Sequence, residues 1–538
     1  PHMPDSRILI AALVLIIFGA ILPSSSAAAP INAVHYILEL DISENNTVAG
    51  RTDITFNASG TESLSLLLDS NLTVENAVLN QEKLGIQRFG EEIVLEFKRP
   101  LQGMNRIVID YTGLLEEQVD GHSWAYLDSD GAFAVYEANW YPNIAGDRAT
   151  AEIRLKTPLG WTSISNGVLI ESNPEKGMFS WFVDSPEIGF SFASGRYLEH
   201  QDYEKHTPVS CYLKSVRADC AKTLRESLSF FSSRLGPYNY PKLALAEVGG
   251  SLNGGHGDNS LVIMSTDILS SPKYEEFLAH EAAHSWFGGM ITAEDSRWLT
   301  EGFATYAGLM YLENLDSSLA KDALSTKRNE YLKLKSDGRD KPILSERGEY
   351  DDVFHATVYS KGAIVLHMLR RVVGEEEFSQ ILRDYVEGYQ GGSASVADFQ
   401  AVSEDVSGME LGWFFQQWLA TTGIPDYYFE SAETEFDGSI YTVRAAVGES
   451  NAADFKMPVD IIFVTEEGNT SKRVWIDSGA AEVEFQSTRR PVYLEIDRES
   501  WILESKRSNN RRVLRYPLNF FGLRLLISNL ARSLQPGF

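Results

Sequence analysis

Two histidines four residues apart, His280 and His284, sit in the apolar run Leu278-Ala-His-Glu-Ala-Ala-His-Ser-Trp-Phe-Gly-Gly289. On a helix, positions i and i+4 lie one above the other on the same face. The run is therefore expected to be helical and to aim both imidazoles at one point, where they can share a zinc ion. Glu281, the next residue along, is placed to reach a water beside the metal rather than the metal itself. Ser271-Pro272 supplies an N-cap and an N1 proline, which predicts a helix start. Gly288-Gly289 predicts its end. An ordinary helix with two histidines is the alternative, and the sequence downstream argues against it. Trp298-Leu-Thr-Glu-Gly-Phe-Ala-Thr-Tyr306 is a second helical pattern with Glu301 near its start. A carboxylate there completes a two-His, one-Glu ligand set and leaves a fourth position for water.

H-E-x-x-H-S-W-F-G followed by W-L-T-E-G-F-A resembles the gluzincin aminopeptidases, which include the membrane alanyl aminopeptidases and leukotriene hydrolase. Further matches carry the resemblance over roughly residues 30–505. It implies a thermolysin-like, mostly helical catalytic domain, one Zn2+ per chain on His280, His284 and Glu301, and Glu281 as general base. One departure is visible. The family usually has eighteen residues between the second histidine and the glutamate, and here there are sixteen. The missing pair falls between Thr292 and Trp298, in the connection rather than in either helix.

Three other stretches are similar to family segments. Gly249-Gly-Ser-Leu-Asn-Gly-Gly-His-Gly-Asp-Asn259 stands where the family carries Gly-x-Met-Glu-Asn. That Glu binds the substrate's free α-amine, and the glycines let the strand pair with the peptide. Gly255, Asp258 and Asn259 match in kind, whereas Glu has become Asp and Met has become Gly257. The shorter carboxylate sits about 1.5 Å further back. His256 is an additional polar group without a family role, and a flexible glycine turn is the alternative reading of the stretch. In Val358-Tyr-Ser-Lys-Gly362, Tyr359 looks like the family tyrosine that donates to the developing oxyanion; a buried aromatic is the alternative. Upstream of Trp140–Leu155, Glu137 is the nearest candidate for a residue lining the pocket of the substrate's first side chain. A solvated strand charge is its competing reading.

The 538 residues allow three or four domains. A net charge of −28 argues against nucleic acid as a partner, because phosphate would be repelled. Pro1-His2-Met3 reads as a cloning remnant before a native start. Arg7, the apolar run Ile8–Leu22 and the small-residue stretch to Ala29 then predict a secretory signal, with an uncleaved anchor as the alternative. Either places the bulk of the chain outside the cytoplasm, secreted or membrane-anchored. Cys211 and Cys220 could then form one local disulfide.

The fold class expected is α+β and multidomain. Residues 30–199 alternate with period two and predict an antiparallel β domain. Residues 200–425 turn helical, from Leu224, Leu228, Phe231 and Leu235 through Trp413–Ala420. Residues 426–505 predict a small β-sandwich. In 506–538, Arg511, Arg512, Arg515, Arg524 and Arg532 alternate with apolar residues. This is the pattern of a basic amphipathic tail that could lie on an anionic membrane, pack on the acidic protein surface or stay unstructured. Many relatives continue into a helical domain that roofs the site. This chain lacks the length for one, so a more open cleft is expected.

The function expected from the resemblance is zinc-dependent removal of N-terminal residues from peptide substrates. Because the amine-binding Glu is Asp here, an endopeptidase or a peptidase of altered end-specificity is the second reading. An inactive binding module on the same fold is the third.

Overall fold

The β-patterned first part of the chain folds as two sheets around a shared core in a computed structural model. That structure describes residues 31–515 except 43–46, 120–121, 217–218, 250–251, 253, 347–350, 451–454 and 478. The larger sheet runs in the order Val168–Asn173, Met178–Glu187, Ala149–Lys156, Ile31–Ile42, Thr47–Leu67, Glu92–Leu114, Leu72–Leu79, Glu82–Lys83, with Gln87–Phe89 also paired to Glu92–Leu114. The smaller runs Thr162–Ser165, Phe192–Gly195, Gly131–Ala134, His122–Leu127, Glu116–Val119. Alternation drives the packing: Tyr36, Leu38, Leu40 and Ile42 of the first strand are buried, as are Ile107, Ile109 and Tyr111 two strands away. The antiparallel expectation fails at one pair. Ile31–Ile42 runs parallel to Ala149–Lys156, with His35 opposite Thr150. The chain between them passes through the smaller sheet and is long enough to return to the same end, as a parallel pair requires.

A third sheet is the wall between this domain and the helices that follow. Its order is Leu198–Glu204, Thr207–Leu213, Leu243–Val248, Leu261–Ser265, Gly255–Asp258. Its inner strands are apolar on both faces, as a sheet covered on both sides must be. Val209, Cys211, Leu243, Leu245, Val262 and Met264 join the core of the helical side. Ala244, Ala246, Val248, Leu261 and Ile263 join the core of the N-terminal domain.

The helix Cys220–Leu235 buries Leu224, Leu228, Phe231 and Leu235 against this wall. A disulfide joins its first residue, Cys220, to Cys211 on the sheet. Tyr274–Ala283, Glu301–Leu315, Ser317–Ser336, Gly362–Val373, Glu375–Tyr389, Val396–Ser407 and Gly412–Leu419 complete the helical domain. The metal-motif helix is shorter at both ends than its sequence signals imply. Ser271 caps a turn instead, accepting from the Lys273 N–H at 3.2 Å, and the helix starts at Tyr274. It ends at Ala283, with His284 as its C-cap. Gly288, at φ +123°, turns the chain away afterwards.

The C-terminal sandwich pairs Tyr427–Phe436, Tyr441–Glu449 and Ala481–Ser487 in one sheet. The other holds Gly468–Ile476, Met457–Thr465, Pro491–Ile496 and Arg511–Val513. Phe463 and Phe485 stack across the core at 4.9 Å. The predicted tail therefore starts too early: Arg511–Val513 is an edge strand, with the Arg511 guanidinium 3.6 Å from the Tyr493 ring centre. Residues 1–30, where the leader is expected, and residues 516–538 lie outside the described residues. Among the described residues no helix is long and apolar enough to cross a membrane.

The disulfide closes a short loop, nine residues apart in sequence, and such loops contribute about 2–3 kcal/mol. Cys220→Ser should lower the unfolding free energy by about that amount. An unchanged denaturant midpoint would show that the bridge adds no stability.

Candidate active site

Three side-chain atoms converge between the helices Tyr274–Ala283 and Glu301–Leu315. His280 Nε2 and His284 Nε2 are 3.1 Å apart. Glu301 Oε2 is 3.5 Å from the first and 3.4 Å from the second. Tetrahedral ligands at 2.0–2.1 Å from a zinc ion lie about 3.3–3.4 Å from one another, so these donors fit that ion. The outer ring nitrogens are oriented. His284 Nδ1 lies 3.0 Å from the Phe287 carbonyl, and His280 Nδ1 lies 3.3 Å from Thr305 Oγ1. Partners of this kind fix a metal-binding imidazole and leave Nε2 for the ion. His280, Glu281 and His284 also offer atoms within 4.8 Å of one another. Glu281 stands further off, at 4.0 Å from His284 Nε2, the position of a base rather than of a ligand.

Electrostatics agree with those roles. Burial works against ionising Glu301, yet the two imidazoles hold its carboxyl well below the usual range. Burial pushes Glu281 up to about 7, near where a general base operates best. Burial, then the charges of Glu301 and Glu281, keep the Tyr359 hydroxyl protonated and so a donor. Tyr359 lies in the π-helical turn His355–Lys361, its ring stacked on His280 at 5.8 Å and on His355 at 5.0 Å. π-Helical turns recur at functional sites.

The ligands open into a cleft of about 840 Å³, lined on the far side by Trp124, Tyr136 and Glu137 of the N-terminal domain. The edge strand Gly255–Asp258 forms its floor. A Cβ at Gly257 would lie 2.2 Å from the Glu281 carbonyl oxygen, and one at Gly255 would lie 2.7 Å from the Glu281 carboxylate. Only glycine lets the strand run this close to the metal helix. The flexible-turn reading is thus replaced by a paired strand with an open edge.

Residues 222–418 match the sequence profile described as Peptidase family M1 domain. The chain is 28% identical over 463 residues to aminopeptidase N of Streptomyces lividans, covering 75% of this chain and 52% of the relative. It is 26% identical to aminopeptidase M1-B of Oryza sativa subsp. japonica, covering 65% and 45%. The chain is thus similar to the aminopeptidases of peptidase family M1, most clearly over residues 222–418. The fold agrees with a Legionella pneumophila aminopeptidase A solved with aspartic acid, at TM-score 0.70 and 19% identity over 93% of this chain and 61% of that one. It also agrees with the M1 zinc metallopeptidase of Deinococcus radiodurans, at TM-score 0.61 and 22% identity over 73% and 96%. The chain spans about half the length of the curated relatives it matches. The donor set fits a zinc ion, the metal named for the Deinococcus radiodurans metallopeptidase.

The residues named from the family resemblance come together in one place. His280, His284, Glu301, Glu281, Tyr359, Gly255, Asp258, Asn259 and Glu137 all line the cleft. The shortened connection leaves the ligand geometry intact, because Ile291–Ala293 is anchored by pairing with Gly392–Ala394 and Ser296 caps the turn before Thr300. Asp258 faces the N-terminal domain, with Oδ2 accepting from Ser191 Oγ at 2.7 Å. Asn259 donates to Glu187 at 2.7 Å and accepts from Tyr240 at 3.1 Å. Ser191, Thr305, His355 and Arg297 were not among the sequence candidates. His355 lies one helical turn before Tyr359, so its spacing was readable; Ser191 is 67 residues from Asp258 and had no local signal.

His284→Ala is expected to bind less than about a tenth of the zinc of the parent in metal analysis, whereas Glu281→Gln should keep one ion per chain. Equal metal loss in both variants would assign Glu281 to the ligand set.

Proposed function

We propose that this chain is a zinc aminopeptidase that removes N-terminal residues from peptides. The observation that carries the reading is the placement of one carboxylate oxygen 3.4–3.5 Å from both imidazoles, with a second carboxylate beside them and a tyrosine across the cleft. The names of the relatives support it.

His280, His284 and Glu301 would hold zinc, which would supply a Lewis acid for the scissile carbonyl and the attacking water. Glu281 would take a proton from the attacking water and later deliver it to the leaving amine. The Tyr359 O–H donates to the developing oxyanion. The open edge of Gly255–Asp258 pairs with the peptide backbone, as an extended segment does at a sheet edge. Glu137, at the N-terminal-domain end of the cleft, attracts the substrate's ammonium and so sets the cut one residue in. The cleft excludes bulk water on the buried side, which strengthens each of these contacts.

Altered end-specificity stays as the second reading, because the Asp258 carboxylate is committed to Ser191. One fluorogenic peptide with a free and with an acetylated N-terminus separates the two. The aminopeptidase reading expects at least about a hundredfold preference for the free amine; equal rates would overturn it. On the same peptide Glu281→Gln should lower kcat by about 10³-fold or more and Tyr359→Phe by about 10²-fold, with zinc retained.

Export is part of the proposal. The leader-like Arg7–Ala29 stretch supports it, and a structural disulfide is at home in an oxidising compartment. The leader or the basic tail would account for membrane attachment. Fractionation of expressing cells should find the protein outside the cytoplasm, in the medium or with membranes. Recovery in the cytosol with Cys211 and Cys220 reduced would sink this part alone.

A further inference from the structure

His256 belongs to none of the roles assigned so far, yet it sits at the end of the cleft. Period-two alternation turns Gly255 and Gly257 toward the metal helix, where a side chain would collide. His256 and Asp258 therefore point the opposite way, toward the N-terminal domain. Their cross-strand partners Ile263 and Leu261 lie in that domain's core.

The two polar residues meet different fates on that face. Asp258 is 7% exposed and held by Ser191, whose Oγ also accepts the Tyr136 N–H at 2.9 Å. That hydroxyl ties the strand carboxylate to the turn carrying Glu137. His256 instead lines the cleft, its ring 5.9 Å from that of Tyr136 and its Nε2 3.3 Å from Glu137 Oε2. Both atoms are buried, and neither has a hydrogen-bond partner among the described residues. Buried polar atoms without partners are costly and uncommon, and a donor entering the cleft between these two would satisfy both. Burial pushes His256 down to about 4 and Glu137 up to about 7, so at neutral pH the ring is uncharged, with one N–H and one lone pair. A neutral imidazole protonated at Nδ1 offers a lone pair at Nε2.

We propose that His256 is a specificity-determining residue for unblocked peptide N-termini: its Nε2 and Glu137 Oε2 together accept the hydrogen bonds of a primary ammonium. The imidazole does the work left undone by the shortened strand carboxylate, which is drawn back to Ser191. Glu137 supplies the charge, and His256 supplies a second, neutral acceptor. This rests on the aminopeptidase reading and adds to it the residue that recognises the amine.

The test uses the zinc-loaded Glu281→Gln protein, which binds without turnover, titrated calorimetrically with leucine amide and with N-acetyl-leucine amide. Parallel kinetics use the free-amine fluorogenic peptide on the otherwise unmutated enzyme. His256→Ala should weaken leucine amide binding and raise KM by about tenfold to a hundredfold, the effect of one hydrogen bond to a charged group. It should leave kcat within about threefold and the acetylated ligand unaffected. His256→Gln, which returns an acceptor near the same reach, should recover most of the affinity. His256→Lys should abolish it. A free-to-acetylated preference unchanged by all three variants overturns the role of His256 while the aminopeptidase reading stands. Equal binding of both amides by the parent protein overturns that reading and this inference together. A merely structural role would lower kcat and thermal stability in His256→Ala without altering the preference, which also counts against the proposal. If His256→Ala does not fold, the contrast between the Gln and Lys variants decides.

Discussion

The whole site depends on how closely the helix Glu301–Leu315 packs against the helix Tyr274–Ala283. A Cβ at Gly308 would lie 3.2 Å from the Glu276 carbonyl oxygen and 3.6 Å from the His280 nitrogen. The glycine lets the two backbones approach, and Glu301 at the first turn of its helix then reaches both imidazoles. Its position there also helps it stay ionised, since a helix N-terminus favours negative charge. A carboxylate taken this far out of water is stable only with partners, and the paired rings provide them.

The second dependence is the two-faced sheet. Its inner strands seal one core on each side, so its edge strand is carried between the two domains and cannot drift. Glycines on one face bring that edge against the metal helix. Polar residues on the other face it toward the N-terminal domain. The cleft is therefore built at a domain boundary, where concave sites commonly form. Behind the floor, a buried polar layer holds the boundary together. Asn259 bridges Glu187 and Tyr240, Ser285 donates to the Asn259 carbonyl at 2.7 Å, and Lys242 donates to the Ser165 carbonyl at 2.7 Å. Burial pushes Glu187 up to about 8 and Lys242 down to about 7, the expected direction for an acid and a base withdrawn from water together.

Local signals were readable wherever the chemistry is local. The i, i+4 histidines, the Glu301 helix, the π-turn tyrosine and the apolar stripe of Cys220–Leu235 all announce themselves within a few residues. Boundaries were less legible. Ser271-Pro272 looks like a cap but serves a turn, because the metal helix begins only where it meets its neighbour. Arg511–Val513 looks like part of a basic tail, but pairing with Tyr493–Glu495 makes it a strand. Backbone hydrogen bonds offered by a sheet edge outweigh a local charge pattern.

By itself, the sequence determined the ligand types, their helical spacing and the order of β, helical and β segments, since these follow from side-chain chemistry and the two backbone periods. Only the tertiary structure decided which way Asp258 and His256 point and what each meets. A strand's pattern tells which residues share a face, but which domain that face looks into depends on contacts tens of residues away. Ser191 and Glu137 come from separate turns of another domain, and they set the chemistry at the end of the cleft.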